Sequence, residues 1–181
     1  MLKFNICFIK QGSKVLLINR ERPSWMGCWN GIGGKLEEGE EPRDSAIREV
    51  YEETGIDHVR LHFKGLITWS VDGDPGGMYT YMAELPEGVI YPTPVKTAEG
   101  ILDWKTIDWI MHPENMGIAR NIPKSIRTIL FDPNCYDHHC VYENGRLIRH
   151  TSTLILPSIE TDLRKRDQYL RKYTTTSSGI R

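Results

Sequence analysis

Two short runs of β-branched and aromatic residues lie near the N-terminus, at residues 2–9 (LKFNICFI) and 14–18 (KVLLI). The turn-like segment Gln11-Gly12-Ser13 separates them. Apolar runs of this length on either side of turn residues are typical of paired strands, so the sequence predicts an N-terminal β-hairpin. A loop that carries two tryptophans and three glycines is predicted next, between Asn19 and Gly34.

A helix is predicted between Pro42 and Gly55. Proline suits the first helical turn, the interior AIREVYEE suits the body of a helix, and glycine suits its C-terminal stop. Ile47 and Tyr51 are four positions apart and therefore share one face of this helix. We expect that face to pack against the core.

The second half of the chain alternates between strand-like and helix-like segments. Residues 59–71 and 78–85 are predicted strands joined by the glycine-rich Asp72–Gly77. A short strand at 101–105, helical pieces at 106–111 and 122–131, and a hairpin at 136–154 with Asn144-Gly145 as its turn are predicted after them. Strands with few helices, rather than regular strand-helix alternation, favour a mixed sheet with flanking helices.

The segment after Pro157 has a helical pattern. Ile159, Leu163, Leu170 and Tyr173 fall near one helical face, and Ser158 is a candidate cap. A docked C-terminal helix and a flexible tail are both open for residues 158–181, which we separate from a main domain at 1–157. The last eight residues, TTTSSGIR, are predicted to be disordered.

Composition fits one globular domain. The chain has 181 residues, of which 39% are hydrophobic and 26% charged, which is enough apolar material for a core. We expect a cytoplasmic protein, because no signal peptide or membrane-spanning run is found and the four cysteines are scattered. The net charge of −1 argues against a nucleic acid polymer as partner. Monomer and homodimer are both open.

The stretch from Gly33 to Ile56 contains eight carboxylates. Glu49, Glu52 and Glu53 lie three and four residues apart on the predicted helix, so they share a face. Like charges so placed cost about 0.2–0.5 kcal/mol per pair. A divalent cation would turn this repulsion into ligation, and oxygen ligands select Mg²⁺ or Mn²⁺.

The spacing of residues around this helix resembles the Nudix box, the signature of the Nudix (MutT-like) hydrolases. Glu40 follows Gly34 after five residues, and the run REVYEETGI, residues 48–56, follows after seven more. The resemblance implies an α+β Nudix fold, which is an α/β/α sandwich with a mixed β-sheet and flanking helices. It also implies Mg²⁺-dependent cleavage of a nucleoside diphosphate linked to another group, with Mn²⁺ as a substitute.

The resemblance also assigns roles by position. Glu49, Glu52 and Glu53 resemble the metal ligands, Gly33 resembles the residue that lends a backbone carbonyl, and Glu49 and Glu52 are the candidate catalytic carboxylates. The structural positions of the motif correspond to Gly34, Glu40, Arg48 and Gly55. Glu41 departs from the family pattern, in which a hydroxyl residue often caps this helix.

Glu99 is the candidate carboxylate outside the box. In the segment AEGILDW it stands five residues before Trp104, which resembles a glutamate of the oxidised-purine nucleoside triphosphatases in this superfamily. It is a candidate metal ligand and catalytic residue. The alternative is a surface turn, which is the usual place for a lone glutamate before glycine.

The run WNGIGGK resembles the oxidised-purine nucleoside triphosphatases of human type. Asn30 matches the residue that reads the purine edge, because an amide offers a donor and an acceptor. Trp29 and Trp25 are candidates for an apolar wall against a base, and the alternative for both is a core position. Arg20 and Arg22 are candidate phosphate contacts, with a solvated surface position as the alternative.

The same resemblance fails further along the chain. The human-type enzymes carry paired aspartates before the last helix, where this chain has Arg120 and Asn121. Asn121 is a candidate contact to a base, and it equally suits the N-cap of the helix that follows. The basis of purine selection is therefore open.

Two other clusters of polar residues suggest metals only weakly. Asp72-Gly73-Asp74 lacks the later oxygen ligands of a calcium loop. The residues of a possible zinc cluster are Cys135, His138, His139 and Cys140. If the Asn144-Gly145 turn has two residues, His139 lies opposite His150 and Cys140 points to the other face, so a structural hairpin is favoured.

The main functional prediction is hydrolysis of a nucleoside triphosphate, with 8-oxo-dGTP as the first candidate, to the monophosphate and pyrophosphate. The first alternative is a pyrophosphatase for ADP-ribose or another nucleoside-diphosphate conjugate. The second alternative is a Nudix-fold nucleotide-sensing module without turnover. All three predict a small nucleotide as ligand.

Overall fold

A computed structural model describes residues 1–174, which form a nine-stranded sheet between two layers of helices. The strands are β1 (Leu2–Gln11), β2 (Lys14–Arg20), β3 (Trp29–Asn30), β4 (His62–Val71), β5 (Asp74–Glu84), β6 (Val95–Lys96), β7 (Gly100–Thr106), β8 (Cys135–Glu143) and β9 (Arg146–Ile155). The helices are α1 (Pro42–Thr54), α2 (Ile107–Met111), α3 (Ile122–Phe131) and α4 (Leu163–Thr174).

The sheet is mixed, as predicted. Its strands are arranged in the order β6-β7-β2-β1-β5-β4-β8-β9, with β3 paired to β2 outside that path. The pairs β1–β5 and β4–β8 are parallel. The other pairs are antiparallel, including the predicted N-terminal hairpin of β1 and β2.

Each face of the sheet has its own apolar core. Ala46 and Val50 of α1 pack on one face together with Leu170 of α4. Ile110 of α2 packs on the opposite face with the buried isoleucines of α3. The predicted α/β/α sandwich is therefore confirmed. Within residues 1–174, no helix is long and apolar enough to cross a membrane.

Helix α1 begins and ends where the sequence predicts. Pro42 occupies its first turn, and Gly55 stops it with a φ of 69°, a left-handed conformation that favours glycine. The prediction about its buried face is wrong, however. Ile47 and Tyr51 are 41% and 56% exposed, because the helix turns Ala46, Val50 and Glu53 toward the sheet instead.

The predicted linker Asp72–Gly77 is mostly strand. Only Asp72 and Gly73 form the turn, and β5 already begins at Asp74. The glycines have a packing role here, because a Cβ atom on Gly76 would lie 2.2 Å from the indole nitrogen of Trp69 on the neighbouring strand. Glycine within a strand often marks such a close approach.

The register of the β8–β9 hairpin differs from the predicted one. Its turn is Asn144-Gly145, but a bulge between Val141 and Tyr142 shifts the pairing by one residue. Cys140 therefore lies opposite His150, and His139 lies opposite Thr151. The extra residue of a bulge explains the shift.

The segment after β9 packs on the same face as α1. A 3₁₀ turn at Pro157–Ile159 precedes α4, and Asp162, rather than Ser158, accepts the backbone N–H of Lys165 at the start of the helix. The hydroxyl groups of Tyr169 and Tyr173 donate to the buried carboxylate of Asp137. The segment TTTSSGIR begins at Thr174, the last described residue. Its predicted disorder therefore concerns residues 175–181, which lie outside the described range.

Candidate active site

Two glycines bring the loop before α1 close to strand β1. The N–H of Asn5 donates to the carbonyl of Gly34 at 2.9 Å. Gly33 has a φ of 144°, and a Cβ atom there would lie 2.4 Å from the carbonyl oxygen of Asn5. A Cβ atom on Gly34 would lie 2.4 Å from a carboxylate oxygen of Glu49. Both positions therefore need glycine, and Gly34 leaves room for the Glu49 carboxylate.

Glu53 is the buried carboxylate of the site. Its side chain accepts a hydrogen bond from the backbone N–H of Gly33, and the residue is only 8% exposed. Burial raises the pKa of Glu53 to about 8, and the charge of Glu49 acts in the same direction. Arg20 lowers this pKa and Glu99 raises it, so both side chains lie within electrostatic range of Glu53. The structure thus brings four predicted site residues together around it.

Arg48 connects the other carboxylates of α1. Its Nη1 atom lies 3.0 Å from Oε1 of Glu49 and 3.0 Å from Oε2 of Glu52. The Glu52 side chain is 56% exposed, whereas that of Glu49 is largely buried. Burial raises the pKa of Glu49, and the Arg48 hydrogen bond opposes this effect. The three glutamates therefore differ in environment although they share a helix.

Glu40 binds the other side of the same guanidinium. Nε and Nη2 of Arg48 donate to the two oxygens of Glu40 at 2.9 and 3.0 Å. This bidentate contact lowers the pKa of Glu40 to about 2, with a further contribution from the N–H of Glu37. Glu40 thus fixes Arg48 from the side opposite Glu49 and Glu52.

Glu99 lies at the turn before β7. Its carboxylate forms an ion pair with Arg22, at 3.2 Å between Nη1 and Oε1. Its backbone carbonyl accepts the N–H of Glu21 at 3.0 Å. The loop that follows β2 therefore fixes Glu99 through both its side chain and its backbone. Arg20, the last residue of β2, donates from Nε to the carbonyl of Ser24 in this loop at 3.2 Å.

The candidate base-binding residues lie on β3. Asn30 pairs with Ile18 on β2, and its side-chain oxygen accepts the N–H of Gly31 at 2.9 Å. Within residues 1–174 the Asn30 amide nitrogen has no hydrogen bond, so it is available as a donor. One face of the Trp29 ring is covered by the ammonium group of Lys105, 4.1 Å from the ring centroid.

Backbone hydrogen bonds link β3 to the segment before α3. Trp29 accepts the N–H of Ala119 and donates to the carbonyl of Gly117 at 2.8 Å. Asn121 follows two residues later and occupies the N-cap position of α3, where its side chain makes no capping hydrogen bond. The predicted N-cap position of Asn121 is therefore confirmed, but its side chain does not cap the helix.

The oxygen ligands in this region fit a hard divalent cation. Oε2 of Glu53 is buried without a hydrogen-bond partner in residues 1–174, which is costly for an ionised carboxylate unless a proton or a metal cation neutralises it. As they stand, no three His, Cys, Asp or Glu side chains of the described residues are close enough to form a metal site. Arg48 keeps Glu49 and Glu52 in ion pairs, so ligation requires these two side chains to turn from Arg48.

Sequence reasoning missed Asn5. Its amide donates to the hydroxyl of Ser45 on α1 at 2.9 Å, and its backbone carbonyl lies against Gly33. Asn5 therefore ties β1 to the helix that carries the glutamates. The available signal was an asparagine inside an otherwise apolar strand, since buried polar residues have specific partners.

Comparison with known proteins places this geometry in a family. A family model described as the NUDIX domain matches residues 2–124. An uncharacterized Nudix hydrolase, YvcI of Bacillus subtilis, is 36% identical over 111 residues, which are 59% of this chain and 66% of that protein. The oxidized purine nucleoside triphosphate hydrolase of Mus musculus is 33% identical over 107 residues, 59% of this chain and 67% of that protein. The alignments thus span about two thirds of these relatives.

Solved structures share the fold. A MutT protein from Bacillus halodurans has a TM-score of 0.70 at 22% identity and covers 84% of this chain and 97% of its own. The NUDIX domain of Shewanella oneidensis NrtR, solved with ADP ribose, has a TM-score of 0.56 at 16% identity, covering 71% of this chain and 85% of its own. The family match includes α1 and the glutamates of the candidate site. The chain therefore belongs to the Nudix domain family.

Proposed function

We propose that the protein is a hydrolase that uses a divalent metal ion to convert a nucleoside triphosphate to the monophosphate and pyrophosphate. The observation that carries this proposal is the unpartnered, buried Oε2 atom of Glu53. Glu49 and Glu99 lie within electrostatic range of this atom, and Gly33 donates to the same carboxylate. A cluster of this composition suits a cation that in turn meets a polyphosphate.

In this proposal the carboxylates have two roles, as metal ligands and as the base that accepts a proton from water. Gly33, Glu49, Glu52, Glu53 and Glu99 would hold the metal, which is Mg²⁺ with Mn²⁺ as a substitute. When bound, the metal neutralises phosphate charge and lowers the pKa of a ligated water. Glu49, Glu52 and Glu99 are the candidate catalytic residues, because a carboxylate has to accept the proton of the attacking water. Arg48 orients Glu49 and Glu52, since it contacts both.

The proposed substrate is an oxidised purine nucleoside triphosphate, with 8-oxo-dGTP as the first candidate. Support comes from the run WNGIGGK, from the free amide nitrogen of Asn30, and from the 33% identical mouse relative of that name. Asn30 would bind the edge of the base, and Trp29 and Asn121 would line its pocket. Arg20, which lies near Glu53, would bind phosphate. We place this reaction in the cytoplasm.

ADP-ribose is the second candidate substrate. The solved NrtR domain with ADP ribose supports it only through the shared fold, since that protein is 16% identical. A nucleotide-sensing module without turnover is a third candidate. The full set of Glu49, Glu52, Glu53 and Glu99 favours catalysis over sensing, because a binding module does not need a base beside its metal ligands.

The test is a turnover screen with Mg²⁺ over 8-oxo-dGTP, the four normal triphosphates and ADP-ribose, with the products identified by chromatography. We expect pyrophosphate and a monophosphate from the triphosphates, with the highest kcat/KM for 8-oxo-dGTP. Selective cleavage of ADP-ribose would favour the second candidate. Binding without any product, at Mg²⁺ and Mn²⁺ concentrations that saturate the protein, would favour the sensing module.

A further inference from the structure

The β8–β9 hairpin lies outside the part of the chain that the family match covers. The match ends at residue 124, and the hairpin spans residues 135–155. Its strands are rich in side chains that bind transition metals, namely Cys135, His138, His139 and Cys140 on β8 and His150 on β9. The sequence favours a structural hairpin here, because a regular register divides these side chains between the two faces of the sheet.

The bulge in the hairpin removes this objection for three of the five residues. Cys140 lies opposite His150, and His138 is two residues from Cys140 on the same strand. Side chains that lie directly opposite each other in an antiparallel pair, or two residues apart on one strand, share a face. His139 is on the other face, where its ring stacks on Tyr173. The fold therefore gathers two imidazoles and a thiol on one side of the hairpin.

The imidazole rings of His138 and His150 lie beside each other. Their centroids are 5.8 Å apart, and their planes differ by 18°. Both Nε2 atoms are buried without a hydrogen-bond partner in residues 1–174, and His138 is only 1% exposed. Buried polar atoms normally have a partner, so two such nitrogens side by side indicate a site for a group that binds imidazole.

The spacing of the two rings suits a metal ion. Imidazole nitrogens lie about 2.0–2.1 Å from a tetrahedral zinc ion, which places the centroids of two such rings about 5 Å apart. The separation of 5.8 Å between His138 and His150 is close to this value. A small shift of the rings is therefore enough for both nitrogens to bind one ion.

Ser152 fixes the orientation of His138. Nδ1 of this histidine lies 2.8 Å from the hydroxyl oxygen of Ser152. When Nδ1 carries the proton and donates it to this oxygen, Nε2 keeps its lone pair for a ligand. Histidines that bind metals usually have such a second hydrogen bond, which fixes the ring and its tautomer. Ser152 is therefore a positioning residue for His138.

Cys140 can supply the third ligand atom. Its thiol lies 3.9 Å from the carbonyl oxygen of His138 and forms a hydrogen bond with Tyr142. As they stand, the side chains do not form a metal site of three ligands within residues 1–174, and the thiol contacts its own strand instead. Residues directly opposite each other have Cβ atoms about 5 Å apart. Rotation of Cys140 to another χ1 rotamer therefore brings Sγ within reach of an ion held by His150.

The charges around the hairpin favour an anionic third ligand. Burial lowers the pKa of His150, and the charge of Lys124 on α3 acts in the same direction. A cation between the imidazoles therefore also lies within electrostatic range of Lys124. The thiolate of Cys140 offsets this positive charge, which a neutral ligand does not. Imidazole and thiolate donors together select zinc-like ions over Mg²⁺.

We propose that His138, Cys140 and His150 bind a transition-metal ion of the zinc class, with water as the fourth ligand. On binding, the Cys140 thiol releases its proton to solvent, and both imidazoles bind through neutral Nε2 atoms. His150 is half-buried on β9, the last strand in the order of the sheet, so the ion enters from this edge. The site joins β8 to β9 and does not depend on the proposed hydrolase function.

The test uses Co²⁺ as a spectroscopic probe for the zinc site. The full-length protein is reduced, freed of metal with a chelator and titrated with Co²⁺ in excess Mg²⁺, which occupies sites made of oxygen ligands. A thiolate bound to cobalt gives a charge-transfer band in the near ultraviolet, which oxygen and nitrogen ligands do not give. We expect this band to saturate at a single Co²⁺ per chain and to disappear when Zn²⁺ displaces the cobalt.

Variants assign the ligands. Cys140→Ser should abolish the charge-transfer band. Ser152→Ala should weaken Zn²⁺ binding about tenfold and retain the band, as expected for a residue that orients a ligand, and His150→Gln should weaken binding more than Ser152→Ala does. The matched controls are His139→Gln, on the opposite face of the same strand, and Cys28→Ser, which removes a half-buried thiol elsewhere. Both controls should keep the wild-type band and affinity.

Melting curves in excess Mg²⁺ provide a second measurement. Zn²⁺ should raise the melting temperature of wild type and of both controls, because an ion that binds only the folded state stabilises it. His150→Gln should lose this shift, and its half-buried position keeps the test decisive if the buried Cys140→Ser does not fold. No band in wild type, a band that survives Cys140→Ser, or an equal loss in Cys28→Ser would overturn the site. An intact band in a protein without hydrolase activity would overturn only the proposed function.

Discussion

Arg48 donates to both oxygens of Glu40, at 2.9 Å from Nε and 3.0 Å from Nη2. Its remaining terminal nitrogen contacts Glu49 and Glu52, each at 3.0 Å. One guanidinium therefore joins a residue that precedes α1 to two carboxylates on it. Glu40 therefore holds Arg48 in place, and its charge also raises the pKa of Glu49.

Glu40→Gln should destabilise the protein by about 1.5 kcal/mol at pH 7, because a charge-assisted bidentate contact is lost. The pKa of Glu40 is about 2 in the folded protein, below the ordinary value of 4.5. Its contribution to stability is therefore complete above pH 4.5 and is lost as the pH falls toward 2. Urea denaturation across this range should show wild type and variant converging at low pH. Glu38→Gln, at an exposed position of the same segment, is the control and should show neither effect.

Gly33→Ala should be far more destabilising than Gly39→Ala. Both glycines have positive φ, 144° and 78°, so both substitutions strain the backbone by about 1–2 kcal/mol. At Gly39 a Cβ atom meets nothing within 4 Å, whereas at Gly33 it would lie 2.4 Å from the carbonyl of Asn5. Denaturation of both variants gives the comparison. Equal losses would mean that the loop shifts away from β1 without cost.

The local sequence is sufficient to predict the position of α1 and the spacing of its glutamates. Pro42 and Gly55 mark the ends of the helix, and a helical repeat sets Glu49 next to Glu53. The repeat does not say which face is buried. Ile47 is more apolar than Glu53, yet Glu53 is inside, where the backbone N–H of Gly33 donates to its carboxylate.

Long-range contacts explain what the sequence could not predict. The bulge beside Tyr142 is invisible to a count of residues from the Asn144-Gly145 turn, although it decides that Cys140 faces His150. In the sequence, Gly76 has the character of a linker residue. In the fold it lies against Trp69 of the neighbouring strand, which leaves no room for a Cβ atom. The spacing of Glu99 from Trp104 in the sequence makes it a candidate, but its ion pair with Arg22 depends on how two loops meet in the fold.

His138 should make the protein less stable in mild acid. Its side chain is buried, with Nδ1 2.8 Å from the hydroxyl oxygen of Ser152. Burial lowers the pKa of His138 from 6.5 to about 4, and the charge of His150 adds to this. A depressed pKa means that stability is complete above pH 6.5 and is lost as the pH falls to 4.

The size of this loss should be as much as about 3 kcal/mol. His138→Gln removes the titration, so its free energy of unfolding should fall less than that of wild type between pH 7 and 4.5. His139 and His150 also have lowered pKa values, and they are common to both proteins, so the difference isolates His138. Parallel pH profiles for the two proteins would contradict the prediction.

Glu99→Gln should reduce turnover at saturating substrate while the melting temperature changes little. The ion pair with Arg22 is partly exposed, and pairs of this kind contribute about 0–1 kcal/mol. Arg22→Gln breaks the same pair and keeps the carboxylate, which makes it the matched control. A role in catalysis predicts that only Glu99→Gln lowers kcat. If both variants lose the same activity, the ion pair orders the loop and Glu99 does not contact the reacting groups.

Glu52→Gln should separate stability from function most clearly. Glu52 is 56% exposed and paired with Arg48, and it also repels Glu49. An exposed ion pair and an adjacent like charge are each worth less than about 1 kcal/mol. Without metal, the variant should therefore melt within a few degrees of wild type.

The effect of metal on the melting temperature should differ between wild type and Glu52→Gln. A cation that binds only the folded state stabilises it by mass action, so Mg²⁺ or Mn²⁺ should raise the melting temperature of wild type and of Glu38→Gln, and Glu52→Gln should lose most of this shift. Its turnover should fall by about two orders of magnitude, because catalysis of phosphate transfer depends strongly on stabilising the charge that develops on phosphate. Melting curves with and without the cation, run beside a phosphate-release assay, provide the measurement. Near-normal turnover together with a wild-type metal shift would mean that Glu52 belongs to a solvated surface and is not a ligand.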